Sequence, residues 1–389
     1  MLVKNVTLSV SLSLTIMRLV GFWAPNLKGN KRIIYDCYGF ISFMFLLGTY
    51  LIIQSVDLFM IWGDLPMMTG VAFLLFTNLA QATKIFFTVW RRQLVLKIVS
   101  SSDKVLRAVK SDEAKKIVKS CDRETLFLHM VFCFLTFVTM LGWATSAEKN
   151  QLPLRAWYPY DTTASPAYEL TYAHQIGALY IAAFLNVCKD SLVTSLIAQC
   201  RCRLRLLGLM LRSLCQGMEI TDKHHLTLDQ ENTVKHRLHS CVMDHQAALE
   251  TAVQIQECFS EQIFAQFNVS LVIICVTAFQ LVSQTGNPVR LMAMGTYLVN
   301  MMFQVFLYCY QGNQLSEESS QIAGAAYEAP WYLMSTSLRR SLLIVMVRSR
   351  RLARITAGSF TTLTITSFMA IIKASYSLFT LLQQVEERN

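Results

Sequence analysis

The sequence predicts an all-α integral membrane protein of seven transmembrane helices, from three observations. Apolar residues make up 53% of the 389 and charged residues 15%, whereas about a quarter of an average soluble domain is charged. Seven stretches, 34–55, 67–90, 125–145, 170–195, 262–284, 291–312 and 358–384, are mostly apolar, and each reaches the roughly 20 residues that a helix needs to cross a hydrocarbon core. The 35 basic residues then sort by segment: 28 fall before span one and in the loops after spans two, four and six, four fall in the alternate loops and the tail, and three lie inside spans.

Positively charged loops stay cytoplasmic. The N-terminus is therefore expected inside and, seven spans later, the C-terminus outside. The net charge of +10 becomes a signal of sidedness, and no nucleic-acid partner is expected. The chain divides into a cytoplasmic N-terminal segment 1–33, six spans with cytoplasmic helical extensions over 34–312, a cytoplasmic anchor segment 313–357, and the last span with a short outer tail over 358–389.

Taken in order, Met1–Thr15 is too polar for a signal peptide, because Lys4, Asn5 and Thr7 interrupt it. After span two, Arg91–Lys119 interleaves basic residues with Val95, Ile98, Val99 and Leu106, an amphipathic pattern. Span three opens on Asp122-Arg123-Glu124. This imitates the acidic-arginine motif of G-protein-coupled receptors, but there the motif closes the span and the N-terminus lies outside. Lys189 and Asp190 sit near the inner end of span four and are expected to reach for the interface as an adjacent pair.

In the long inner segment Leu238, Val242, His245, Leu249, Ala252, Gln256, Phe259 and Ile263 recur every three or four residues. That face suits either a helix extended from the membrane or an anchor between subunits. Five histidines lie in the same region (His224, His225, His236, His239, His245), but their spacing matches no zinc finger, so solvated helix faces are expected. Arg339–Arg351 is basic and amphipathic, fit for the anionic inner leaflet or for a packed cytoplasmic bundle. There is no phosphate loop, H-E-x-x-H or G-x-S-x-G motif, so no enzyme, cofactor or metal is expected. A transporter would need coupled acids in its membrane core, and Asp190 is the one acid deep enough to consider.

Span seven is unlike the others. Thr366, Lys373, Ser377, Thr380 and Gln384 share one helical face, bordered by Tyr376 and Gln383, with Ile371, Ile372, Leu378 and Leu382 opposite. Physics leaves two readings level: a polar seam between helices or a water-lined path shared by several copies.

At these residues the chain resembles the insect odorant-receptor family. The match is carried by Tyr327, by Pro330-Trp331-Tyr332, by Arg339-Arg340-Ser341-Leu342-Leu343, by Ala357-Gly358, and by the ending from Ile372-Lys373-Ala374-Ser375-Tyr376-Ser377 through Leu378-Phe379-Thr380-Leu381-Leu382-Gln383. The resemblance implies an odorant-gated, non-selective cation channel in the plasma membrane of olfactory sensory neurons. It implies a tetramer whose last helices line one pore. The segment Ala198–Val253 is short where the family's common co-receptor has a large insertion. The chain therefore looks like an odour-tuning subunit in a heterotetramer with that co-receptor, surrounded by membrane lipid. Thr380 matches the position of the co-receptor's apolar gate and Gln383 the pore-mouth glutamine. The expected pore set is Lys373, Tyr376, Ser377, Thr380, Gln383 and Gln384.

The resemblance also implies a pocket for a small volatile odorant between spans two, three, four and six, in the outer half of the bundle. That half offers Met68 and Phe73 on span two and Phe137, Met140 and Trp143 on span three. Span four gives Tyr172, His174, Gln175 and Ala178, and span six gives Met294, Tyr297 and Met301. Aromatics, methionines and a few polar groups suit a mostly apolar ligand. The alternatives are a seven-helix G-protein-coupled chemoreceptor and, third, a small-molecule transporter.

Overall fold

The computed structural model describes residues 8–23, 29–63, 65–145, 152, 157–162, 164–218, 226–283 and 288–388. Lys4, Asn5, Thr7, His224, His225 and the side chain of Phe73 lie outside that set.

The chain is helical almost throughout. A short α1 (Leu8–Leu19) precedes α2 (Asn30–Phe43) and α3 (Thr49–Met60), which a π-helical turn at Met44–Gly48 joins into the first span. Next come α4 (Leu65–Trp90), α5 (Arg92–Arg107), α6 (Asp112–Thr145), α7 (Ala167–Arg212), α8 (Leu228–Ser283) and α9 (Pro288–Glu328). Then α10 (Thr336–Ser349) leads to a hairpin of β1 (Thr356–Ala357) and β2 (Thr361–Thr362), and α11 (Ile365–Arg388) closes the chain. Seven of these helical segments are long and apolar enough to cross a membrane. On α6, Phe127, Met130, Phe134, Phe137 and Leu141 form an exposed apolar stripe at spacings of three and four, which lipid covers in a multi-pass membrane protein.

The inner amphipathic stretches are helices too, and four spans continue past the membrane among them. α6, α7, α8 and α9 run from the membrane-crossing region into one basic end, where α5 and α10 join them. α8 starts on a reciprocal cap: the Thr227 backbone N–H donates to Gln230 Oε1 (2.9 Å) and the Gln230 N–H to Thr227 Oγ1 (3.4 Å). Acidic Asp112 and Glu113 open α6, where a helix dipole favours them.

α7 is the axis of the fold, flanked by α1, α6, α8 and α9. Its Leu192, Leu196, Cys200, Leu204, Leu207 and Leu211 belong to the largest core cluster, which spreads from the membrane into the basic end. The motif Asp122-Arg123-Glu124 has a structural role here. Ser9 Oγ (3.1 Å) and the Leu8 N–H (3.3 Å) both donate to the Asp122 carboxylate, which fastens α1. Glu124 takes two bonds from the Arg201 guanidinium (3.1 and 3.0 Å) and one from the Tyr310 hydroxyl (2.8 Å).

Two expectations are corrected. The last span, read over 358–384, becomes helical only at Ile365. Gly358 and Ser359 have φ of 56° and 63°, a left-handed conformation outside any right-handed helix, and the surrounding threonines pair as strands. The Gln256 side-chain amide zips onto this hairpin: Nε2 donates to Thr356 Oγ1 (2.6 Å) and the Thr356 N–H donates to Gln256 Oε1 (2.7 Å). The second correction concerns Lys189 and Asp190. They do not reach an interface but lie 1% exposed at the centre of the bundle, because partners on two other helices, α4 and α9, satisfy them.

Candidate functional site

Those partners build a polar layer across the bundle. Span two carries Thr77, Gln81, Lys84 and Thr88 at helical spacing, and Lys84 is buried. Lys84 Nζ lies 2.7 and 2.9 Å from the two carboxylate oxygens of Asp190 and 3.0 Å from Asn186 Oδ1. The Tyr308 hydroxyl also donates to Asp190 (2.7 Å), as does the Gln304 amide, and Gln304 in turn accepts from Gln266 on α8 (2.9 Å). Lys189 Nζ donates to the Gln81 carbonyl (3.1 Å). One carboxylate thus joins α4, α7 and α9, and through Gln304 also α8. Charges survive burial when they are paired and their remaining lone pairs are filled, as here.

Next to this layer, on the side away from the basic end, lies a narrow cavity of about 50 Å³ between α4, α6, α7 and α9. Its walls are apolar at Leu74, Met140, Trp143, Leu179, Ala182, Ala183, Val187 and Met301. Its polar groups are Thr77, Asn78, Gln81, Thr136, Asn186, Tyr297 and Asn300. Most of the latter pair with one another or with the backbone. Thr77 shares a hydrogen bond with the Tyr297 hydroxyl (2.6 Å), Asn300 Nδ2 donates to Thr136 (3.2 Å), and the Gln81 amide donates to the Ala182 carbonyl. Pockets for organic ligands usually exceed about 300 Å³, so a ligand must displace wall atoms. Met140 and Met301, unbranched and rotatable, are the walls most able to move.

Of the twelve residues singled out for ligand contact, Met140, Trp143, Tyr297 and Met301 line this cavity. Met294 packs in the same cluster, and Ala178 lines a neighbouring recess with Tyr50 and Gln54. The other described members point elsewhere. Phe137 is 48% exposed on the lipid-facing stripe. His174 stacks on Tyr50 and meets Phe45 edge-on, both on the first span. Gln175 Nε2 donates to the Tyr158 hydroxyl (3.1 Å), the Tyr172 hydroxyl donates to the Ala144 carbonyl (3.1 Å), and Met68 Sδ accepts from the Gly63 N–H (3.4 Å). Sequence reasoning missed Thr77, Asn78, Gln81, Thr136, Asn186 and Asn300. The available signal was polar side chains recurring within apolar spans, which rarely face lipid.

α11 is the least enclosed span: 11% of its most apolar stretch is buried, against 78% for α7. It packs on α8 and α9, with Phe368 against Phe306 (5.8 Å between ring centres) and Ser375 donating to the Leu271 carbonyl (3.1 Å). The opposite face leaves Thr366, Lys373, Tyr376, Ser377 and Gln384 exposed, with Thr380 and Gln383 half-buried. The Ser377 and Thr380 hydroxyls donate to the backbone of their own helix (3.1 and 2.8 Å).

A profile of the 7tm Odorant receptor family matches residues 64–376. Odorant receptor Or1 of Anopheles gambiae is 24% identical over 96% of this chain and 95% of its own. Odorant receptor 94a of Drosophila melanogaster is 22% identical over 97% of each. Among solved structures, the olfactory receptor OR5 from Machilis hrabei in complex with eugenol has the same fold, with a TM-score of 0.82 at 18% identity over 97% of both chains.

Proposed function

The chain belongs to the 7tm Odorant receptor family, and from that premise we propose that it is the odour-tuning subunit of a ligand-gated, non-selective cation channel. The ligand is a small volatile organic molecule held between α4, α6, α7 and α9. The similar OR5 receptor is known with eugenol, a small phenol of the size that a widened cavity of this kind takes. The channel is a heterotetramer with the family's co-receptor in the plasma membrane of olfactory neurons. Its N-terminus and basic end are cytoplasmic, in keeping with the sorting of positive charge.

One observation carries the reading. α11 presents a polar stripe that no other described residues cover. A helix wholly surrounded by lipid would hold Lys373 and Gln384 at a steep cost. Copies of α11 around an axis place that stripe on water, with hydroxyls and amides to replace part of a cation's hydration shell. Ligand movement of Met140 and Met301 reaches α11 through α9, whose Phe306 packs on Phe368.

The test is whole-cell recording from cells expressing this chain with the co-receptor. Odorants should evoke a rapid cation current that persists when G-protein signalling is blocked. Slow responses abolished by that block would establish a G-protein-coupled receptor instead, and saturable uptake without conductance a transporter.

A further inference from the structure

We propose that Asn186 donates a hydrogen bond to the ligand, and that this receptor favours small molecules with a hydrogen-bond acceptor on an apolar body, carbonyl compounds above all. The inference rests on the cavity between α4, α6, α7 and α9 being the ligand site.

The buried ion pair sets the direction of this donor. Lys84 is 2% exposed, and its ammonium has donors only. It lies 3.0 Å from the Asn186 side chain, which must therefore turn its carbonyl oxygen towards the lysine. The reversed amide would set N–H against N–H. Asp190, held by Tyr308 and Gln304, keeps Lys84 in place. Asn186 lines the cavity whereas Lys84 does not. With Oδ1 spent on Lys84, Nδ2 is the group that Asn186 offers to whatever occupies the cavity. A positive charge on Oδ1 also polarises the amide and strengthens its N–H as a donor.

The other polar walls offer less. The Thr77 and Tyr297 hydroxyls bond each other, Asn300 bonds Thr136, and Gln81 Nε2 is taken by a backbone carbonyl. Asn78 Nδ2 is directed at Gln54 Oε1 (2.9 Å). A ligand carbonyl that reaches Asn186 keeps a hydrogen bond on leaving water. A hydrocarbon of the same shape leaves the Asn186 N–H without one, which costs about tenfold in affinity.

The experiment measures binding to the full-length chain in lipid nanodiscs with pairs that differ only in the acceptor: 2-heptanone against 2-methyl-1-heptene, and acetophenone against α-methylstyrene. The ketone of a pair should bind about tenfold tighter. Asn186→Leu should abolish the preference by raising the alkene affinity about tenfold, to that of the ketone, and continued tight binding also certifies the fold. Asn186→Asp, with one oxygen on Lys84 and the other towards the cavity, should reverse it and favour 2-heptanol over 2-heptanone. The double variant Lys84→Met with Asp190→Leu removes both charges and frees the amide to turn. Here the ketone preference should shrink while the alkene affinity holds, a pattern that a merely structural role of Lys84 would not give. Equal affinity within both pairs, including no binding of either member, or a preference that survives Asn186→Leu overturns the proposal. Because the readout is binding, absence of odorant-evoked current with the ketone preference intact counts against the channel reading alone.

Discussion

At the residue scale the molecule is governed by a few buried polar groups, and Asp190 is foremost. It accepts from Lys84, Tyr308 and Gln304 in a layer shielded from water. Asp190→Asn keeps the shape but leaves Lys84 buried opposite a neutral amide. Breaking one side of a buried pair costs about 3–5 kcal/mol, whereas replacing both sides with apolar groups is often close to neutral. Asp190→Asn should therefore lower the thermal midpoint of the purified protein and its delivery to the cell surface. Lys84→Met with Asp190→Leu should recover most of both, and additive losses in that double variant would show that the pair is not coupled. Sequence alone named Asp190 but misjudged it. Lys84 stands 106 residues away, and only the packing of α4 on α7 makes them one unit. The cavity was half legible for the same reason. Trp143, Tyr297 and the methionines announce themselves by size and type, whereas Asn186 and Asn300 acquire meaning only from what other helices bring to them.

At the element scale, spans are legible because length and apolarity are properties of a local stretch, and all seven were. Their extensions were legible as amphipathic helices continued from the spans, but not how they pack on one another, which depends on side chains from distant segments. The hairpin before α11 was hidden because its threonines and glycine look like the polar start of a span. Its geometry gives a prediction. Gly358 has φ of 56°, and a methyl group there would lie 2.7 Å from the Phe264 ring. Gly358→Ala should lose about 1–2 kcal/mol from backbone strain alone, with a contact penalty on top. Adding Phe264→Leu should relieve the contact part only, as thermal unfolding of the three variants would reveal. α11 gives another prediction, since its faces differ. Ser375 is buried against α8, while Lys373, Ser377 and Gln384 are exposed. In a cysteine scan from Ile372 to Gln384 with an external water-soluble thiol reagent, Ser377→Cys and Gln384→Cys should block current while Ser375→Cys stays inert. Uniform reactivity or uniform inertness along the helix would reduce α11 to a packing seam.

At the scale of the whole molecule the question is which end faces the cell interior. The basic end holds α5, α10 and the continued parts of α6, α7, α8 and α9, packed around two apolar clusters. That end must fold in water while the bundle beside it stays in lipid. It also holds most of the 28 basic residues sorted by segment, against four in the alternate segments. Loops of this charge are retained on the cytoplasmic side during insertion. An inverted orientation would require them to be translocated together. It would also place the start of α11, tied to α8 through Gln256 and Thr356, on the outer side. The N-terminus should therefore stain only after permeabilisation and the C-terminus in intact cells, with epitope tags at each end of otherwise unaltered chains. A C-terminal tag hidden until permeabilisation would reverse the bundle, carry the ligand cavity to the inner half of the membrane, and remove the direct route from outside air to Asn186.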